Sequence, residues 1–283
     1  MTNVLTIAGT DPSGGAGIQV DCQVFRDFGF HGLSAITAIV WQNTVGVRGF
    51  KSVGSAQLRD QLAAVDDDLE FAAIKIGMLP DVEAVEVVSE FLDASSSGGG
   101  APVVYDPVLA AGSGDRDLHR GDVIGALRSE LLRRVDVLTP NLPEGANLSG
   151  IEAESLAGMC RMAEALVDLG PSAVLLKGGH LEGRMSRGVI DVWADGTGAE
   201  LLRALDRVVD DVRGTGCQLS SAAAALLATG EASMRRAAGQ ARLYLNRLLH
   251  ESTERVGQGR PVVVRDDGRS REIAELILRD LDD

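Results

Sequence analysis

At 283 residues, 45% apolar and 24% charged, the chain has an ordinary globular composition and enough length to bury a substantial core. A formal charge of −14 argues against nonspecific nucleic-acid binding and obliges any anionic substrate to find local cations or a metal. No apolar run approaches the roughly 18 residues of a membrane span. The start "MTNVLTIAGTDPSGG" lacks a basic leader, and Cys22, Cys160 and Cys217 show no CxxC spacing. A cytoplasmic protein with free thiols is expected, with no membrane segment and no Cys/His zinc site.

In chain order, β-rich runs alternate with amphipathic segments. "VLTIAG" (Val4–Gly9) and "SAITAIV" (Ser34–Val40) precede a helix over Ala56–Leu69. "AAIKIGM" (Ala72–Met78) precedes a helix over Val82–Leu92, and "PVVYDPVL" (Pro102–Leu109) one over Val123–Arg134. "VDVLTPN" (Val135–Asn141), a helix over Leu156–Leu169 and "AVLLKGG" (Ala173–Gly179) complete the alternation. "GVIDVWADGTGAELLRALDRVV" then reads as two strands around an Asp-Gly turn, an edge hairpin. Helices over Gln218–Thr229, Ser233–Glu254 and Arg271–Leu281 follow, with the short strand "PVVVR" among them. The pattern predicts an α/β fold, a mostly parallel sheet covered by helices on both faces. "SSSGGG" (Ser95–Gly100) reads as a surface loop, so residues 1–283 are expected to form one domain.

Ligands of open α/β sheets gather at the carboxyl ends of the strands. Six such ends carry glycine or polar groups here: "AGTDPSGGAG", "WQNT", "GM", "DPVLAAGSG", "TPNLPE" and "KGGH". No Walker A pattern exists, so a P-loop NTPase is excluded at motif level; "GGAG" lacks the Rossmann spacing and "GTGCQL" has it only in part, which argues against dinucleotide binding. Asp106 and Glu144 are hard oxygen donors suited to Mg²⁺ through waters, although each also reads plainly as a turn or first-turn residue. Lys177 ends an apolar strand, and because buried lysines are scarce its ammonium is expected to reach a cleft and meet phosphate. Met78 reads as core filler or ligand contact.

"DVRGTGCQLSSA" (Asp211–Ala222) places Gly214, Thr215 and Gly216 before an alanine-rich helix. Free amides at a helix start, with the macrodipole, form an anion site able to stabilise a transferring phosphoryl group. The same positive end is expected to lower the Cys217 thiol pKa. The plainer alternative is a small buried residue in an Ala-rich turn.

These segments together resemble the hydroxymethylpyrimidine/phosphomethylpyrimidine kinases of thiamine biosynthesis, in the ribokinase superfamily. The shared motifs run through nearly the whole chain: "TIAGTDPSGGAGIQ.D", "ITA.V.QNT.GV", "KIGML", "DPV...SG", "LTPN.PE", "LLKGGH", "GTGC.LSSA" and, weakly, "VGQGRPV". The resemblance implies a ribokinase-like three-layer α/β/α domain that uses ATP and Mg²⁺ on a small-molecule pyrimidine. It puts the pyrimidine against Gly9, Ala16 and Asp21, with Gln42, Met78 and Val108 around the ring. It makes Asp106 and Glu144 the metal-associated acids, Lys177 and Asn141 phosphate contacts, Gly214, Thr215 and Gly216 the anion hole, and Cys217 the occupant of the base position. Relatives commonly form homodimers, which extends to this chain as an expectation. The chain departs from the family pattern at Val212, Arg213, Gln218 and Gly112; Arg213 adds a cation beside the anion hole and is expected to bind the nucleotide phosphates with Asn141 and Lys177. A pyridoxal or pyridoxine kinase of the same fold and a non-catalytic pyrimidine-binding module are the competing readings.

Overall fold

The computed structural model describes residues 2–95, 100–110, 118–179, 188–202, 205, 211–265 and 268–282. The chain opens with β1 (Asn3–Ala8), an almost wholly buried apolar strand, and α1 (Gly17–Asp27), which buries Val20, Val24 and Phe25 at helical spacing. Next come β2 (His31–Ile36), β3 (Ala38–Gln42), β4 (Val47–Ser52) and α2 (Ser55–Asp66). Then follow β5 (Ile74–Ile76), α3 (Val82–Ala94), β6 (Val103–Tyr105), α4 (Val123–Ala126) and β7 (Val137–Leu138). The middle third closes with α5 (Leu142–Ser149), α6 (Leu156–Val167) and β8 (Ala173–Leu176). After β9 (Val192–Asp195) and β10 (Gly198–Leu201) stand α7 (Thr215–Ala228), α8 (Met234–Glu251), β11 (Thr253–Glu254), β12 (Val262–Val263) and α9 (Arg269–Asp282). Asp81, Ser155 and Ser233 start α3, α6 and α8 by accepting a first-turn amide, which satisfies an otherwise orphaned donor.

The main sheet has the order β10-β9-β8-β7-β6-β5-β1-β2. Its members from β8 to β2 are parallel, while β9 and β10 form the expected antiparallel edge hairpin. The strand pleat divides the core in two. Leu5, Ile74, Val174 and Leu176 face α2, α3 and α6, whereas Val4, Val104, Val137 and Leu175 face α1, α7, α8 and α9. The result is the expected three-layer α/β/α arrangement. Among the described residues no helix is long and apolar enough to cross a membrane, and all three cysteines are free.

The helices α1 and α5 and the strand β4 stand where no element was expected, and three expected elements take another form. Ser34–Val40 is not one strand: the chain turns at Thr37, whose hydroxyl donates to the Met78 carbonyl at 2.7 Å and whose amide bonds Ala8. β3 thereby leaves the main sheet and pairs with β4 as a separate hairpin, drawn over the strand ends by Ala38, Val40 and Phe50 packing on Met78 and Leu118. The expected Val123–Arg134 helix is α4 continued by a π turn (Leu127–Leu131) and a 3₁₀ turn (Leu132–Arg134). Finally, α7 begins at Thr215, three residues earlier than its apolar pattern indicates. Most of the Ser95–Gly100 loop lies outside the described residues.

Candidate active site

A cavity of about 410 Å³ opens at the carboxyl ends of β1, β5, β6, β7 and β8, beneath the β3–β4 hairpin and against the start of α7. Gly9, Ala16, Gln42, Met78 and Val108 line one part of it. Gly214, Thr215, Gly216 and Cys217 line another, together with Asp106, Asn141, Glu144, Lys177 and Arg213.

Gly214 is the N-cap of α7 at φ +72°, and a Cβ there would lie 2.0 Å from the Gly15 carbonyl oxygen. Only glycine combines that conformation with so close an approach of the first loop. The following turn exposes its leading amides to the cavity. At Gly216 a Cβ would meet Asp106 Oδ2 at 3.0 Å and Lys177 Nζ at 3.2 Å. The helix start and this ion pair therefore touch, forming one positively biased pocket for an anion.

Lys177 Nζ donates to Asp106 Oδ1 at 2.8 Å and lies 3.9 Å from Glu144 Oε2. Burial is the largest influence on the ammonium and opposes its charge, but Asp106 and Glu144 together hold its pKa above the ordinary lysine range. Asn141 caps α5 through a capping box: its Oδ1 accepts from the Glu144 amide at 2.9 Å, and Glu144 Oε2 accepts from the Asn141 amide at 2.8 Å. Burial pushes the Glu144 carboxyl up to about 7; Lys177 opposes the rise and Asp106 adds to it. Among the described residues no group of three or more His, Cys, Asp or Glu could hold a metal alone. Two carboxylates converging on one ammonium nevertheless suit a divalent cation that takes its remaining ligands from water and phosphate.

Cys217 corrects the expected thiolate. Its pKa is pushed up to about 11, chiefly by burial; Lys75 and the Gly17 amide pull it down, while Asp21 and Asp106 push it further up. Desolvation of a buried anion outweighs the partial charge at the helix end. Asp21 also lies elsewhere than expected, behind the wall and fully buried. Its carboxylate accepts from Lys75 Nζ at 2.8 Å, Thr6 Oγ1 at 2.7 Å and Ser221 Oγ at 2.7 Å, and it does not line the cavity.

Lys75 itself lines the cavity floor, and the sequence expectations omit it. The available signal was a lysine inside the apolar run "AAIKIGM", the same scarcity that singled out Lys177. Of the departures from the family pattern, Val212 is core. Gln218 accepts from Arg265, a contact between α7 and the chain leading to α9. Gly112 and His180 lie outside the described residues.

A parallel sheet whose strand ends meet a helix-start anion site and a Lys–Asp–Glu cluster defines a ribokinase-like small-molecule kinase. A family model described as phosphomethylpyrimidine kinase matches residues 11–263. The hydroxymethylpyrimidine/phosphomethylpyrimidine kinase of Rhizobium meliloti is 41% identical, over 90% of this chain and 94% of its own. That of Escherichia coli is 41% identical, over 79% of this chain and 82% of its own. The crystal structure of phosphomethylpyrimidine kinase from Clostridium difficile aligns with a TM-score of 0.74 and 33% identity, covering 87% of this chain and 99% of that one. An ADP complex of Bacillus subtilis pyridoxal kinase aligns at 0.79 with 31% identity, covering 93% and 96%. The chain belongs to the phosphomethylpyrimidine kinase family and is a phosphotransferase.

Proposed function

We propose that the chain transfers the γ-phosphoryl group of ATP to 4-amino-5-hydroxymethyl-2-methylpyrimidine, and then a second one to the resulting monophosphate. The observation that carries this reading is the convergence, in one cavity, of the α7 anion site and Lys177 with the Gln42–Met78 wall. The amides of Thr215, Gly216 and Cys217 face the charge that builds on the transferring group, and Lys177, beside Gly216, adds a full positive charge to them. Asp106 and Glu144 are the residues that would hold Mg²⁺, which when bound supplies charge neutralisation on the phosphates. Asn141 keeps its NH₂ group for the nucleotide side, since its Oδ1 is committed to the cap.

The two transfers make different demands. The alcohol must lose a proton, whereas the monophosphate oxygen is already ionised near neutral pH. A thiol pushed up to about 11 is protonated at pH 7 and cannot serve as a base there. In this reading positioning and charge stabilisation carry both steps near neutrality, and Cys217 adds base catalysis to the first as pH rises. The test is ATP turnover with the pyrimidine alcohol, following mono- and diphosphate separately. Both should appear in succession, and the absence of both products would overturn the reading. Pyridoxal is the second candidate substrate, favoured by the similarity to pyridoxal kinase structures. The higher sequence identity to the pyrimidine kinases puts it second, and a head-to-head assay separates the two.

A further inference from the structure

Gln42 reaches the cavity from the β3–β4 hairpin, and both halves of its amide are already engaged. Its Oε1 accepts from Arg213 Nη2 at 2.6 Å, and its Nε2 donates to the Thr10 carbonyl at 3.2 Å. Arg213 is in turn held by Asp11 Oδ2 at 3.3 Å, and the Ser13 amide and hydroxyl fix Asp11 Oδ1 at 2.9 and 2.7 Å. A guanidinium can only donate and a carbonyl can only accept. Turning the Gln42 amide over would set NH₂ against guanidinium and oxygen against oxygen, so the flip is penalised at both ends. The locked amide still has one lone pair and one N–H to offer, in a single spatial order. Arg213 is also no saturated strut, because its Nε is buried without a partner at the cavity wall.

We infer that Arg213 is a positioning residue that locks the Gln42 amide and thereby sets the ring specificity of the site. With the aminopyrimidine of the proposed function seated on it, the locked amide gives its N–H to the ring nitrogen and its oxygen to the exocyclic amino group; a 4-oxo ring in the same pose exchanges those roles. The inference rests on the aminopyrimidine reading above and sharpens it to a mechanism of discrimination. A binding site built around fixed donors and acceptors rejects the reversed pattern because the mismatch leaves buried polar groups unpaired.

The experiment compares kcat/KM for the 4-amino and 4-oxo forms of the hydroxymethylpyrimidine in wild type, Arg213→Met, Gln42→Ala and the double variant. Arg213→Met should reduce the amino-over-oxo preference at least tenfold, with the loss falling on KM more than on kcat. In the Gln42→Ala background the same substitution should change the preference less than twofold, because Arg213 acts through Gln42. Arg213→Lys, which keeps a donor-only cation, should restore part of the preference. If Arg213→Met does not fold, Asp11→Asn loosens the same guanidinium and should weaken the preference in the same direction. An unchanged preference, or an effect that persists in full without Gln42, overturns the inference and leaves the kinase reading standing. Failure of wild type to phosphorylate either ring overturns both.

Discussion

Two lysines of the same sheet, Lys75 and Lys177, each hold an aspartate at 2.8 Å, yet the two pairs do different work. Lys75 and Asp21 are wholly inaccessible, and Asp21 also takes the hydroxyls of Thr6 and Ser221. Lys177 keeps 17% of its side-chain surface, shares its charge with Glu144 at 3.9 Å, and meets the start of α7 at Gly216. The Lys75–Asp21 pair is sealed from solvent, and with Asp21 holding three donors it ties β5 to α1 and α7. A pair left incomplete at a cavity has spare charge for an anion that arrives and leaves. Access to the cavity, with the number of donors each aspartate already holds, separates the strut from the site.

The sharpest way to break this contrast is to remove each ammonium. Lys177→Met should lower kcat/KM at least a thousandfold, about 4 kcal/mol of lost charge stabilisation. Steady-state kinetics with both pyrimidine substrates checks it, and a loss below tenfold would remove Lys177 from phosphate handling. Lys75→Met should instead strip about 3–5 kcal/mol from stability in urea unfolding, because Asp21 is left buried without its cation. Activity lost in that variant at wild-type stability would show that the strut is part of the site.

Glu144 supplies a pH signature. Its carboxyl titrates near 7 in the folded protein against an ordinary value of 4.5, so between these values the folded state binds more protons than the unfolded one. Stability without metal should therefore be greatest below pH 4.5 for this group and be lost as pH rises to 7 and above, by about 3 kcal/mol. Glu144→Gln should flatten that dependence, and Mg²⁺ should stabilise the wild type more at pH 8 than at pH 6. Parallel pH profiles for the two proteins would sink the assignment. The smallest effect concerns Cys217: the first transfer should accelerate from pH 7 to 9 as its thiol begins to ionise, while the second stays flat. Cys217→Ala should erase that difference with only about a tenfold loss at the higher pH.

Much of this was legible along the chain. The β–α alternation, the edge hairpin around Asp195-Gly196 and the polar strand ends follow from local periodicity and turn chemistry. So does the anion site, because a Gly-Thr-Gly turn before an alanine-rich helix dictates exposed amides wherever the helix sits. Asn141 and Glu144 stand in capping-box spacing, and their reciprocal bonds are equally local. The misses have a different character. The break at Thr37 is decided by Met78 and Ala8, far along the chain or in another strand. Asp21 appeared as a polar residue near a glycine-rich loop, and only its helical face, turned toward Lys75 and Ser221, removes it from the cavity.

What the sequence determined by itself was therefore the architecture and the residue types gathered at the strand ends, since both arise from interactions between near neighbours. Tertiary structure decided the electrical state of those residues. The Cys217 thiol is raised because packing removes water from around it, a cost no neighbouring residue in the sequence encodes. Arg213 meets Gln42 across 171 positions and Asp11 across 202, and it acquires a role only because the fold closes the hairpin and the first loop onto the start of α7. Hydrogen bonds and desolvation depend on distance in space, and spacing along the chain does not report it.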